Sequence, residues 1–109
     1  LKEEQQLTKG YDHSFLLSRE PQKTAAILTA LDRSLRLEIS TSQPALQVYT
    51  GNYLGGTPNR NGGEYADYAG VALETQALPD TPNHPEWQYY GGITKAMEAY
   101  CHWTKFKFV

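Results

Sequence analysis

The chain has 109 residues, 39% hydrophobic and 20% charged, which is the size and composition of one small globular domain and not of a disordered segment. Ten Lys and Arg against twelve Asp and Glu leave a net charge of −2 with no basic stripe, so nothing points to nucleic acid or an anionic membrane as partner. No apolar run approaches transmembrane length, and Cys101, the single cysteine, excludes a disulfide framework and argues against a thiolate zinc site. One free thiol fits a reducing, cytoplasmic setting. The start at Leu1, followed by Lys2, Glu3 and Glu4, lacks the apolar core of a signal peptide and reads as the interior of a longer protein.

In chain order, residues 1–9 are polar and patternless, a loop that enters the first motif. Residues 15–18 read as a short strand and 19–23, with Pro21, as a turn. Residues 24–31 carry alanines and leucines that would suit a helix, but the segment is short and Asp32-Arg33-Ser34 follows as a turn. Leu35, Leu37 and Ile39 then alternate with Arg36, Glu38 and Ser40, the period of a strand with one apolar face, so a hairpin is expected. Residues 46–50 form the next strand after the Pro44 break. Residues 51–70 hold six glycines and one proline and read as a long surface loop. Val71 and Leu73 alternate with Ala72 and Glu74, a strand over 71–76. Prolines 79, 82 and 85 then forbid a helix and stiffen the exit, and 86–95 is a second irregular crossing. In residues 100–109, Tyr100, His102, Thr104, Phe106 and Phe108 share one face and Lys105 and Lys107 the other, a final strand. With no repeat and no helix, the expected class is all-β, an antiparallel β-sandwich.

Four segments carry more than packing information. They are Gly10-Tyr11-Asp12-His13-Ser14-Phe15-Leu16-Leu17; Thr41-Ser42-Gln43-Pro44-Ala45-Leu46-Gln47-Val48-Tyr49-Thr50-Gly51-Asn52-Tyr53-Leu54-Gly55-Gly56; Leu73-Glu74-Thr75-Gln76 with Pro79-Asp80 and Pro82-Asn83; and Glu98-Ala99-Tyr100 with Thr104-Lys105-Phe106. In this order and spacing they resemble the carboxy-terminal part of the aldose 1-epimerases (galactose mutarotases). The resemblance covers essentially all of this chain but only about the last third of a family member. It implies a galactose mutarotase-like supersandwich, with residues 1–109 the carboxy-terminal portion of a single domain. It also implies interconversion of the α and β anomers of free hexoses such as galactose and glucose, without cofactor or metal.

That reaction needs a base for the anomeric hydroxyl and an acid for the ring oxygen. By resemblance, Glu74 is the general base, an ionised carboxylate tuned by partial burial; the bland alternative is an exposed strand glutamate. Asp12 aligns with a sugar-binding aspartate, its carboxylate accepting from sugar hydroxyls, with Gly10 allowing close chain approach; an Asx-turn residue is the alternative. Gln47 matches a substrate-contacting glutamine, whose amide both donates and accepts; a solvent-facing strand residue is the alternative. His13 reads as a structural hydrogen-bonding residue, and His84 and His102 are not at metal-ligand spacing. Trp87 and Trp103 read as packing, and Asn52 and Tyr53 as residues that shape the loop near the site.

The resemblance also implies what this segment lacks. The family's acid is a histidine of the upstream portion, as are a second histidine and an arginine that bind sugar, so residues 1–109 alone are expected to be inactive. Met97 stands before Glu98 where the family usually has glycine. The rival reading is a non-catalytic carbohydrate-binding β-sandwich domain of the same family, which would have no use for a base. A weaker one is an epimerase of phosphorylated sugars, for which Arg60 and Lys95 are the available cations.

Overall fold

The computed structural model describes residues 7–18, 20 and 24–109. The turn expected over 19–23 lies outside the described residues except for Glu20. Six strands account for the regular structure: β1 (Asp12–Leu16), β2 (Ala26–Thr29), β3 (Arg36–Thr41), β4 (Ala45–Tyr49), β5 (Ala72–Gln76) and β6 (Thr104–Phe108). They form two three-stranded sheets, in the orders β1-β4-β5 and β2-β3-β6. The all-β class read from the sequence is therefore the observed one. Backbone contacts divide the chain into two compact units, Leu1–Phe15 with Gln47–Glu74, and Leu16–Leu46 with Thr75–Val109.

The second unit contains the hairpin. β2 and β3 pair antiparallel, with Ala26 opposite Ile39 and Leu28 opposite Leu37. The turn is held by Asp32, whose Oδ1 accepts from the Ser34 amide at 3.0 Å and the Ser34 hydroxyl at 2.7 Å. Arg33 takes the left-handed conformation there, at φ 61°. β6 pairs antiparallel with the other edge of β3, placing Phe106 opposite Ile39, Phe108 opposite Leu37 and Lys107 opposite Glu38. The predicted two-faced pattern of 104–108 is thus the observed register. Lys107 Nζ reaches Glu38 at 3.2 Å and Arg36 also pairs with Glu38, surface contacts that fix register more than they stabilise. The buried apolar side chains among the described residues are Ile39, Ala45 and Leu46. Full burial of a side chain like that of Ile39 contributes roughly 1.5–3 kcal/mol. Phe106 and Phe108 remain 53% and 66% exposed, so the apolar stripe of this sheet is only partly covered.

Hydroxyls continue the ladder. Thr104 Oγ1 lies 3.0 Å from Thr41 Oγ1 and 2.7 Å from Thr75 Oγ1, so within the second unit three threonine hydroxyls meet at the start of β6. Two expectations are corrected here. The prolines do not forbid helical turns: Thr81–Asn83 and Pro85–Tyr90 are 3₁₀ helices, with proline at the first or second position of each. Proline lacks only an amide that is unpaired in a first turn anyway, and its fixed φ suits that position. The segment 86–95 is accordingly irregular only after Tyr90. The last strand also starts at Thr104 and not at Tyr100, because its partner β3 ends at Thr41. Beyond it, contacts are with side chains and single carbonyls: the Ser42 amide donates to the Trp103 carbonyl at 3.0 Å, and Ser42 Oγ lies 3.1 Å from His102 Nδ1.

Candidate active site

The first unit brings the sequence-predicted polar residues onto neighbouring strands. Asp12 opens β1, Gln47 lies in β4 and Glu74 in β5, and β4 runs between the other two. Gln47 Nε2 donates to Asp12 Oδ1 at 2.8 Å. A carboxylate only accepts, so this contact fixes which end of the amide faces Asp12. Gln47 Oε1 therefore points the other way, where it is shut from solvent without a hydrogen-bond partner among the described residues. A buried acceptor left in that state costs free energy until a donor fills it.

Glu74 is exposed, and no described residue gives it a hydrogen bond or ion pair. Among the described residues Glu74 lacks the partial burial expected of it. The carboxylate is open to a ligand and not committed to a structural partner. His13 behaves as read from the sequence: its Nδ1 accepts from the Asp12 amide at 2.9 Å, and its ring meets Tyr11 edge-on at 5.8 Å.

The segment that delivers Asp12 is held by the exit of β4 and the glycine-rich loop. Asn52, 0% exposed, donates its two Nδ2 hydrogens to the carbonyls of Thr8 and Tyr11 at 2.8 and 2.9 Å. Its Oδ1 accepts from the Thr50 hydroxyl. Thr50 Oγ1 accepts in turn from the Tyr11 amide at 2.9 Å, and Tyr68 donates its hydroxyl to the Lys9 carbonyl. Gly10 sits against this cluster. A Cβ there would collide with Asn52 Oδ1 and come within 2.7 Å of Thr50 Oγ1, the close approach for which a glycine was expected. Sequence reasoning took Asn52 only as a loop-shaping residue. The available signal was a polar residue one step past a strand-ending Thr-Gly pair.

The second unit holds cavities of its own. One of about 420 Å³ is lined by Thr81, His84, Gln88, Lys95 and Glu98 among others, and none of its walls is Asp12, Gln47 or Glu74. His84 lies between two carboxylates, with Nδ1 2.8 Å from Glu86 and Nε2 3.2 Å from Asp80, and stacks on Trp87 at 3.8 Å. The hydrogen bond to Glu86 is the main cause that raises its pKa above 6.5, with further raising by the charges of Glu86 and Asp80. Both histidines of this unit thus make structural contacts, His102 with Ser42 and with the Tyr100 ring at 4.8 Å. Among the described residues, no group of three or more His, Cys, Asp or Glu side chains could hold a metal, and no helix is long and apolar enough to cross a membrane.

The family model described as aldose 1-epimerase matches residues 1–107. The chain belongs to the aldose 1-epimerase family. It is similar to an aldose 1-epimerase of Haemophilus influenzae, 64% identical over 108 residues, and to one of Escherichia coli, 45% identical over 109. These alignments take in 99% and 98% of this chain but 32% of each relative. A human protein named galactose mutarotase is 40% identical over 102 residues, 91% of this chain and 29% of its own length. The chain therefore spans about a third of the length of the curated relatives it matches. The family is a β-sandwich family, in keeping with the sheets described above.

The turn before Glu98, where the family resemblance implies glycine and Met97 stands, takes a backbone shape suited to glycine. Met97 has φ 69°, the left-handed conformation that glycine adopts freely. The turn is closed by the Glu98 amide on the Lys95 carbonyl at 3.1 Å and by the Lys95 amide on Glu98 Oε2 at 2.9 Å.

Proposed function

We propose that residues 1–109 are the carboxy-terminal portion of a single aldose 1-epimerase domain, which in the full-length enzyme interconverts the α and β anomers of free hexoses such as galactose and glucose. Glu74 is the general base in this reading. Its carboxylate takes the proton of the anomeric hydroxyl while an acid protonates the ring oxygen. The C1–O5 bond breaks, the aldehyde turns about C1–C2, and the ring closes on its other face with the two proton transfers reversed. The acid is a histidine of the portion outside these residues, as the family resemblance implies. Each proton-transfer partner is worth roughly 10²–10⁴-fold in rate.

The observation that carries the reading is the pairing of Gln47 with Asp12 on strands β4 and β1, with the uncommitted carboxylate of Glu74 on the adjacent β5. A sugar presents alternating donors and acceptors. Asp12 accepts from its hydroxyls, and the Gln47 amide, with one Nε2 hydrogen unused, donates to another. The relatives' names, aldose 1-epimerase and galactose mutarotase, support the same chemistry. A binding-only module would account for Asp12 and Gln47 but would give Glu74 no task. The exposed thiol of Cys101 goes with a reducing, cytoplasmic location.

Polarimetry of freshly dissolved α-D-galactose and α-D-glucose tests the proposal, using a full-length enzyme that contains residues 1–109. Catalysed approach to the equilibrium rotation is expected. Sugar binding with only the uncatalysed rate would replace the enzyme reading by the binding-domain reading.

A further inference from the structure

We propose that Asn52, acting with Thr50, is a positioning residue that sets Asp12 for sugar binding. The inference rests on the reading of Asp12 as a sugar ligand and extends it to residues that cannot touch the sugar. Asn52 is fully buried, and its hydrogen-bonding capacity is spent: both amide hydrogens go to the Thr8 and Tyr11 carbonyls, and its oxygen takes the Thr50 hydroxyl. An amide so committed has no hydrogen left to offer a ligand. All of its partners lie in, or bind, the four residues that immediately precede Asp12.

The contacts form one clasp. Thr50 is bound to Tyr11 in both directions, its amide donating to the Tyr11 carbonyl at 3.1 Å and its Oγ1 accepting the Tyr11 amide at 2.9 Å. Asn52 adds the second bond to the Tyr11 carbonyl and reaches back to Thr8. Gly10 has no side chain because the clasp occupies its Cβ position. Thr50 and Asn52 flank Gly51, two residues past the end of the strand that carries Gln47. One short run of chain thus supplies one predicted sugar ligand and anchors the segment that carries the other, so the Gln47–Asp12 distance of 2.8 Å is set from β4 outward. A buried, saturated network of this kind has one low-energy arrangement, and loss of one member misplaces what it holds.

The test measures KM and kcat for galactose mutarotation in a full-length enzyme containing residues 1–109, together with the urea midpoint of each variant. Asn52→Ala strips partners from two carbonyls and a hydroxyl, and Thr50→Val removes the hydroxyl at nearly constant volume; if Asn52→Ala does not fold, Thr50→Val decides. Each is expected to raise KM roughly tenfold, about the loss of one hydrogen bond to a charged group, with a much smaller change in kcat. Thr50→Ser should restore KM. Added to Asp12→Ala, either change should raise KM no further, because the residue it positions is gone. If Asp12→Ala raises KM while Thr50→Val and Asn52→Ala lower only the urea midpoint, or if the effects multiply independently, Asn52 and Thr50 are structural and the inference is overturned. If Asp12→Ala itself leaves KM unchanged, the assignment of Asp12 as a sugar ligand fails, and the inference fails with it.

Discussion

Gln47 Nε2 donates to Asp12 Oδ1 across 2.8 Å, so two residues that lie 35 positions apart in the chain are joined side chain to side chain. The contact uses one of the two Nε2 hydrogens of the amide and one lone pair of the carboxylate. What remains is the other carboxylate oxygen as acceptor and the second Nε2 hydrogen as donor, while Gln47 Oε1 is shut from solvent. A pair that both accepts and donates suits hydroxyl groups, each of which is donor and acceptor at once.

Asp12→Ala and Gln47→Ala, each in a full-length enzyme containing residues 1–109, should therefore mainly raise KM. Neither side chain moves a proton in the proposed reaction, so kcat should change much less. Because the two touch, the double variant should be less impaired than the product of the single effects. An unchanged KM in either single variant would remove that residue from the sugar site.

Met97→Gly should stabilise the protein. The left-handed conformation costs a residue with a side chain about 1–2 kcal/mol, while glycine loses about 0.5–1 kcal/mol more than alanine through backbone entropy. Met97 is fully exposed and gives up no packing. The net gain should be of the order of 0.5–1 kcal/mol, seen as a higher urea midpoint with an unchanged slope. A lower midpoint would mean that the turn is not held as described.

His84 should titrate above its ordinary 6.5. A neutral imidazole carries one N–H, yet Glu86 and Asp80 take one ring nitrogen each, so only the imidazolium satisfies both. The Lys95 and Glu98 side chains line the same cavity and nearly offset each other in charge. With the folded pKa raised, the contribution of this clamp is complete below 6.5 and is lost as pH rises through the raised value. Glu86 works in the opposite sense: its pKa is lowered from 4.5 by the same hydrogen bond, so its share is lost as pH falls through the lowered value. An NMR titration should place the His84 midpoint above 6.5 and move it down in Glu86→Gln; a midpoint at or below 6.5 in the unmodified protein would rule the clamp out.

Much of this was legible in the sequence, for reasons that can be named. Alternation at Leu35, Leu37 and Ile39 sets a register that the structure keeps residue for residue against Phe108 and Phe106. The Ala-rich stretch 24–31 was ambiguous by propensity, and the Asp32–Ser34 turn decided for a hairpin. Three features were not legible. The 3₁₀ turns at 81–83 and 85–90 hide behind prolines that a first turn tolerates. The start of β6 depends on where β3 ends, which the pattern of 100–103 cannot report. The burial of Asn52 depends on carbonyls about forty residues earlier, and a polar side chain in a glycine-rich loop leaves no periodic signal.

Residues 1–109 expressed alone should be poorly soluble or oligomeric and inactive. Phe106, Phe108, Leu28 and Ile27 are all more than 40% exposed, and the buried apolar side chains among the described residues are few. Exposed apolar strands invite association. Size-exclusion chromatography showing a monomer that unfolds cooperatively would contradict the stability part of this expectation. Mutarotation by that monomer would contradict the rest and place the acid within these residues, with His13 the first to replace.

The most direct measurement is polarimetry of freshly dissolved α-D-galactose with Glu74→Gln in a full-length enzyme containing residues 1–109. The amide keeps the size of the side chain and its place on β5 but cannot take the anomeric proton at neutral pH. The account predicts a loss of roughly 10²–10⁴-fold in kcat with sugar binding largely retained. A variant that turns over at a near-normal rate would contradict it, and Glu74 would be an ordinary exposed glutamate of β5.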